Sequence, residues 1–401
     1  MLSAAFKGPM GLYLHIPFCL RKCLYCDFLS APAGRPTIDR YVRALCAQLS
    51  READGCRDYW VDTVFFGGGT PSLLTSEQIA DVLACVRACY RLSQDAEITM
   101  ESNPGTLTPE KLEGYLRAGI NRLSMGLQST FDAELKALGR LHDYRTFVEN
   151  YHGARQAGFS NINVDLMSAL PGQTLSGWLE TLHRTADLGP EHISAYSLIL
   201  EEGTPLYALY QDGGEKAPAP LPGEEQERLM YEQTKQVLAG YGYRRYEISN
   251  YARPGYECRH NIGYWTRRPY LGVGLGSASL LEETRWKVTG DLETYLDFFF
   301  PEKQTGERPL QDGTVLRQER QQLTETEQKE EFLFLGLRMQ EGIRVGEFRQ
   351  RFHTGLWDIY GSVITRLQDQ GLLLVYDDGR RMRLTERGID VSNYVLSQFL
   401  L

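Results

Sequence analysis

Residues 11–30 read GLYLHIPFCLRKCLYCDFLS, and the reading of this stretch decides the fold. Its first residues, Gly11 to Ile16, form a short apolar run that predicts a strand. The strand delivers a loop carrying Cys19, Cys23 and Cys26 in C-x3-C-x2-C spacing. Three thiolates bunched in one loop can wrap a metal. Structural zinc sites pair two cysteines and bring a second pair of ligands from further along. No second pair follows soon, because Cys46 and Cys56 sit in amphipathic or loop sequence. Iron–sulfur clusters are normally held by cysteine, and three thiolates suit a [4Fe–4S] cluster with one iron left open. Incidental buried cysteines and a zinc site are the alternatives, and motifs further along weigh against both.

Outward from this loop the chain alternates strand and helix. Helical periodicity runs over Ile38–Arg51, with Tyr41, Val42, Leu45 and Leu49 on one face. Val61–Phe66 reads as a buried strand that ends at Gly67-Gly68-Gly69-Thr70-Pro71. A helix is expected from Ser76, taken as its N-cap, and another from Thr108-Pro109-Glu110, with Pro109 in the first turn. Further strands are expected over Ala96–Glu101, Asn121–Leu127, Ile162–Leu170 and His192–Leu200, and helices over Tyr144–Ala157 and Gly177–Leu188. Six strand–helix alternations predict βαβ units and a parallel sheet. Six rather than eight point to an incomplete barrel, whose chemistry belongs at the C-terminal ends of the strands.

The sequence HIPFCLRKCLYCDF resembles the cluster loop of the radical S-adenosylmethionine (SAM) enzymes. Within them it is similar to the family of oxygen-independent coproporphyrinogen III oxidase and its haem chaperone relatives. The resemblance runs from Tyr13 into the C-terminal region. It implies an α/β fold with a partial (β/α)6 barrel, a [4Fe–4S] cluster on Cys19, Cys23 and Cys26, and SAM chelated by the open iron. In that superfamily an electron from the cluster cleaves SAM to methionine and a 5′-deoxyadenosyl radical.

Several strand-end residues carry the same expectation. In GGGTP the absent side chains let backbone approach a ligand closely. No Gly-Lys-Ser/Thr follows, so this is not a Walker phosphate loop. The resemblance implies that the stretch holds the SAM amino group. It puts SAM contacts on Tyr13, Tyr25, Gly68, Gly69, Thr70, Glu101, Gln128, Arg140 and Asp165. Taken singly, Glu101, Gln128, Arg140 and Asp165 read equally well as solvated side chains or structural ion pairs. His15 is either a satisfied strand histidine or a group near the cluster.

A second informative stretch is Cys258-Arg259-His260-Asn261-Ile262-Gly263-Tyr264-Trp265. A histidine beside aromatic rings can ligate haem iron while the rings pack on the porphyrin. A structural histidine is the alternative. H-N-x-x-Y-W is similar to the haem-associated motif of the chaperone branch, which implies His260, Asn261, Tyr264 and Trp265 as a haem site, with Cys258 a weaker candidate ligand. Two departures bear on function. Phe28 stands where the decarboxylating branch has a further cysteine, which weakens the decarboxylase reading. Ala278, in GLGSAS, stands where many chaperone-type relatives place a histidine, which puts more weight on His260.

The chain has 401 residues, eight cysteines and a formal net charge of −9. Clustered cysteines in a long chain fit a reducing compartment, with the cytoplasm as the default. The charge argues against nucleic acid held on a broad basic surface. No apolar stretch is long enough to span a bilayer, and the N-terminus does not read as a signal peptide. Residues 212–225 read as a surface loop, Leu229–Leu238 as a helix and Tyr243–Ser249 as a strand. Residues 301–322 read as a linker. Three helical runs follow, then strands over Leu372–Tyr376 and Arg381–Leu384 joined by Asp378-Gly379, an order that looks like a winged helix. The helix over Leu356–Asp369 carries Arg366 as its only cation, which favours packing or partner docking over DNA reading. The expected organisation is a core barrel over 1–236, a barrel extension with the HNxxYW stretch over 237–310 and a winged-helix-like domain over 311–401. The expected function is that of a haem chaperone that binds the cluster, SAM and haem and delivers haem to client haemoproteins, with a small electron-transfer protein as reductant. The alternative is a radical SAM enzyme acting on a porphyrin, either a coproporphyrinogen III oxidase or a haem-modifying methyltransferase.

Overall fold

A computed structural model describes residues 6–211, 214, 217, 219–300 and 316–400. The apolar run before the cysteine loop is strand β1 (Gly8–Ile16), followed by helix α1 (Arg35–Glu52). The alternation continues through β2 (Tyr59–Gly68), α2 (Ser76–Cys89), β3 (Leu92–Ser102), α3 (Pro109–Ala118) and β4 (Arg122–Gln128). After β4 come α4 (Asp132–Ala137), α5 (Tyr144–Ala157), β5 (Ile162–Ser168), α6 (Leu175–Asp187) and β6 (His192–Ser197). Strands β1 to β6 lie side by side in chain order and pair in parallel. This is the expected six-unit partial barrel. Its strands are apolar on the helix-facing side, where Leu12, Val64, Ile98, Leu123, Val164 and Ile193 are buried.

The local signals explain the boundaries. Helix α2 is capped by Thr75 rather than Ser76. Thr75 Oγ1 accepts from the Gln78 backbone N–H at 3.3 Å, and Gln78 Oε1 accepts from the Thr75 N–H at 2.9 Å. Reciprocal capping of this kind satisfies two orphan donors at once. Helix α3 starts as expected, with Thr108 as cap and Pro109 in the first turn, and ends at Gly119 in the left-handed region.

Both edges of the barrel sheet are extended. After α7 (Pro205–Tyr210) and α8 (Glu224–Gly240), the expected strand over 243–249 is replaced by two shorter ones, β7 (Arg244–Arg245) and β8 (Asn250–Ala252), antiparallel beside β6. The α8 helix takes in Glu224 and Glu225, which were expected in the preceding loop; residues 212, 213, 215, 216 and 218 of that loop lie outside the described residues. Helix α9 (Arg259–Trp265) carries the HNxxYW stretch. Strand β9 (Tyr270–Val273) pairs in parallel with β1, and β10 (Ala278–Leu281) and β11 (Thr284–Val288) follow antiparallel, then α10 (Leu292–Phe299). Of the expected linker, residues 301–315 lie outside the described residues, while Arg317–Gln322 forms strand β12 against β11. That strand is polar and almost wholly exposed, so it shows no alternation to read.

The C-terminal domain has its own core of Leu333, Phe348, Tyr360, Ile364, Met382 and neighbours. Helices α11 (Glu325–Gly336), α12 (Val345–Phe352) and α13 (Leu356–Asp369) pack on a three-stranded sheet of β13 (Ile343–Arg344), β14 (Leu373–Tyr376) and β15 (Arg381–Leu384), and α14 (Glu386–Asp390) and α15 (Ser392–Ser397) close the chain. The helix–helix–helix–hairpin order matches the winged-helix expectation. On α13, Arg366 donates to Gln398 Oε1 at 2.7 Å.

Candidate functional site

The cysteine loop lies over the C-terminal ends of the barrel strands, and backbone hydrogen bonds pin it there. The Cys19 N–H donates to Ala31 O, the Leu24 N–H to Leu138 O, and the Leu206 N–H to Leu24 O. His15 ties the far end of the loop. Its Nε2 donates to Leu29 O at 2.9 Å, which leaves Nδ1 to accept from the Tyr13 hydroxyl at 3.1 Å. Both nitrogens are thus used, and burial lowers the histidine's pKa. This resolves His15 in favour of the satisfied strand histidine.

The glycine run fits against the same loop. The Gly69 N–H donates to Ile16 O and the Thr70 N–H to Phe18 O, at 2.9 and 2.8 Å. A Cβ on Gly69 would meet Phe18 O at 2.6 Å, so no other residue fits there without moving backbone. Gly68 has φ +111°, and its N–H donates to Glu101 Oε2 at 3.0 Å. With these amides engaged, what the turn can offer a ligand ammonium is carbonyl oxygen.

Cys19, Cys23, Cys26, Tyr25, Gly68, Gly69, Glu101, Gln128, Arg140 and Asp165 line one cavity of about 280 Å³. Thr70 stands beside it, with its hydroxyl 3.5 Å from Cys19 Sγ. Tyr13 lies deeper, stacked on Phe65 and turned toward the barrel interior. Arg140 organises the floor of the cavity: its guanidinium donates to Asn103 Oδ1 at 2.7 Å and Gly126 O at 2.6 Å, and lies 3.6 Å from Cys23 Sγ. Gln128 closes β4 with φ +72°, a strained conformation for a non-glycine residue, and accepts from the Tyr196 hydroxyl at 3.0 Å. Burial, reinforced by the nearby Asp165 charge, pushes the Glu101 carboxyl up to about 8. Asp165 is raised by burial against hydrogen bonds from Asn163 and Ser124.

Among the described residues no group of three His, Cys, Asp or Glu side chains is close enough to hold a metal ion as placed. The three thiols share the wall of one cavity, and cysteine thiolates are the usual ligands of iron–sulfur clusters.

Helix α9 closes the barrel interior on the side away from that cavity. His260 meets Gly11 and Thr63, which lie deeper along β1 and β2 than His15 and Gly67 at the mouth. Its Nδ1 is 2.8 Å from Thr63 Oγ1, its Nε2 is 2.9 Å from the Tyr264 hydroxyl, and Phe65 stacks on the ring. Burial, then the charges of Arg268 and Arg122, lower its pKa to about 3. Glu97 of β3 caps the helix, accepting from the N–H groups of Arg259 and His260 at 2.9 and 3.1 Å. Burial pushes the Cys258 thiol up to about 12, and the thiol donates to Glu97 at 3.5 Å. His260, Asn261 and Tyr264 line an interior chamber of about 190 Å³, whereas Trp265 stacks under Arg338 of the C-terminal domain. Ala278 lies on β10 and lines neither space.

Sequence reasoning passed over Asn103, Glu97, Arg122 and Tyr196. The alternation Arg122, Ser124, Gly126, Gln128 along β4 was a readable signal, because every second residue of a strand shares a face.

Residues 13–185 match the family model described as the radical SAM superfamily, and residues 323–391 match that of the HemN C-terminal domain. The chain is 35% identical to the heme chaperone HemW of Lactococcus lactis over 396 residues, covering 98% of each protein. It is 42% identical to HemW of Escherichia coli over 270 residues, 67% of this chain and 69% of that protein. It is 36% identical to the mitochondrial radical S-adenosyl methionine domain-containing protein 1 of Bos taurus, covering 97% and 87%. The solved coproporphyrinogen III oxidase HemN of Escherichia coli superposes with a TM-score of 0.81 at 22% identity, over 98% of this chain and 90% of that one.

Proposed function

The chain belongs to the radical SAM superfamily and, within it, to the HemW family; from that membership we propose that it is a haem chaperone, holding a [4Fe–4S] cluster and SAM and delivering haem to client haemoproteins. The observation that carries the proposal is the convergence of three loop thiols with Glu101, Gln128, Arg140 and Asp165 on one cavity at the strand ends. When bound there, the cluster supplies an open iron for SAM and an electron from a small reductant protein.

The chain's own groups have separable tasks in this reading. Cys19, Cys23 and Cys26 ligate the cluster, with the Arg140 guanidinium 3.6 Å from Cys23 Sγ. Carbonyl oxygens of the Gly68–Gly69 turn accept from the SAM ammonium, while Glu101 and Asp165 offer acceptors to ammonium or ribose hydroxyls. Tyr25, Thr70, Gln128 and Tyr13 complete the walls. Haem is the cargo, and His260 is the iron ligand, with Asn261 and Tyr264 beside it in the chamber, while Trp265, under Arg338, comes into the haem site only when the helix shifts. Both His260 nitrogens are hydrogen-bonded, so ligation through Nε2 requires release of the Tyr264 hydroxyl. The chamber of about 190 Å³ is also smaller than the roughly 300–1,000 Å³ of ordinary ligand pockets. Haem binding through His260 therefore requires α9 to move.

Haem titration of the wild-type chain, His260→Ala and His353→Ala tests this. The expected result is a changed haem spectrum and about tenfold weaker binding for His260→Ala only, about 1.4 kcal/mol. An unaltered spectrum and affinity in His260→Ala would remove the ligand assignment. Sustained conversion of haem or coproporphyrinogen III into a new tetrapyrrole would replace the chaperone reading with the enzyme reading.

A further inference from the structure

Arg122 lies inside the barrel at 2% exposure and lines the interior chamber. Its Nε has no hydrogen-bond partner among the described residues. The charges that act on it, among them Glu97 and Asp165, do so at a distance, without a direct hydrogen bond to the guanidinium. A buried guanidinium with five donors is costly unless something accepts from them. Closed eight-stranded barrels are filled by packed side chains, mostly bulky branched apolar ones. Here Ser124, Asn163, Asp165 and Ser194 surround a hollow of about 190 Å³, room for about six waters at ~30 Å³ each or for one small molecule. The chamber is floored by α9, and it shares Glu101, Ser124 and Asp165 with the cavity under the cysteine loop, so its way in is from above.

We propose that this chamber is a second binding site, and that Arg122 receives a carboxylate there. The planar guanidinium fork matches a carboxylate in bidentate geometry. Ser124, Asn163 and Ser194 are already bonded to one another and to Asp165, so the Arg122 guanidinium is the chamber group left with a donor to offer a ligand. Two sources carry such a group: a free small organic acid, or the propionate arm of a haem entering from the mouth. The site does not depend on the cysteines, so the measurement is made on the full chain both with and without reconstituted iron.

Calorimetric titration with propionate and with its uncharged isostere propionamide is the test. Propionate should bind at least tenfold more tightly, and Arg122→Met should abolish that preference. Competition then assigns the source. Displacement of propionate by haem but not by haem dimethyl ester identifies the cargo's arm, and the absence of displacement by either identifies a free acid. Equal binding of propionate and propionamide, or binding of neither, overturns the proposal whether or not the variant folds. A folded Arg122→Met that keeps the preference overturns it as well.

Discussion

At the scale of single residues, the mouth of the barrel is set by carboxylates whose charge is held in check. Glu101 is anchored by the Gly68 amide and Asp165 by Ser124 and Asn163, so removing either leaves the cysteine loop's own backbone bonds intact. Glu101→Ala and Asp165→Ala should each weaken SAM binding about tenfold, about 1.4 kcal/mol, with full iron content retained. Calorimetry beside iron analysis checks both, and unchanged SAM affinity in the pair would count against the assignment. Buried histidines give a pH signature. His142 and His260 are lowered to about 3 and His192 falls well below its ordinary value, each mainly through burial. The unfolded chain holds these protons from about pH 6.5 downward. Their contribution to stability is therefore complete above about 6.5 and is lost as pH falls from there toward 3. Thermal unfolding of the iron-free chain should show a falling midpoint below pH 6.5, less steep in His142→Gln. A flat profile down to pH 4.5 would contradict the burial of these rings. That the three cysteines share one loop was legible from their spacing, and the close backbone approach at Gly69 from the run it sits in. Arg122 and Glu97 were not, because their roles depend on which strand faces meet across the interior.

At the scale of elements, α9 is the piece whose meaning changed most. The motif HNxxYW reads as an aromatic loop, yet its side chains part company: His260 and Tyr264 turn into the barrel while Trp265 packs under Arg338. Periodicity could not show this, since seven helical residues carry too few positions to fix a face. What fixes the face is Glu97, a carboxylate on another strand at the helix N-terminus, where negative charge is favoured. Glu97→Ala removes two backbone hydrogen bonds and a third from the Cys258 thiol, together with one of the charges balancing Arg122. It should cost about 3 kcal/mol or more in chemical denaturation. A loss under about 0.5 kcal/mol, typical of an ordinary surface change, would mean that the cap does not hold the helix. The six barrel strands were readable because buried parallel strands are short apolar runs bounded by turns. Strand β12 escaped because RQERQQ lies exposed at a sheet edge, where pairing comes from backbone alone.

At the scale of the whole molecule, the C-terminal domain is joined to the barrel extension by an ion network centred on a buried arginine. Arg267, fully buried, bridges Glu283 and Glu331, and Arg285 completes the pairing of Glu331. The Gln340 N–H donates to Tyr246 O at 2.9 Å, which seats that domain beside α9. The molecule thus carries its cysteine loop at one end of the barrel and the HNxxYW helix with the C-terminal domain toward the other. Among the described residues no helix is long and apolar enough to cross a membrane. Everything proposed for the mouth rests on three thiols holding a cluster that leaves one iron for SAM. The most direct test is the electron paramagnetic resonance spectrum of the anaerobically reconstituted, reduced chain before and after SAM is added, with iron and sulfide counted on the same sample. The predicted result is about four irons per chain, a reduced-cluster signal that shifts on adding SAM, and loss of both in Cys19→Ala, Cys23→Ala and Cys26→Ala. Stoichiometric zinc without iron, or a cluster signal indifferent to SAM, would contradict it.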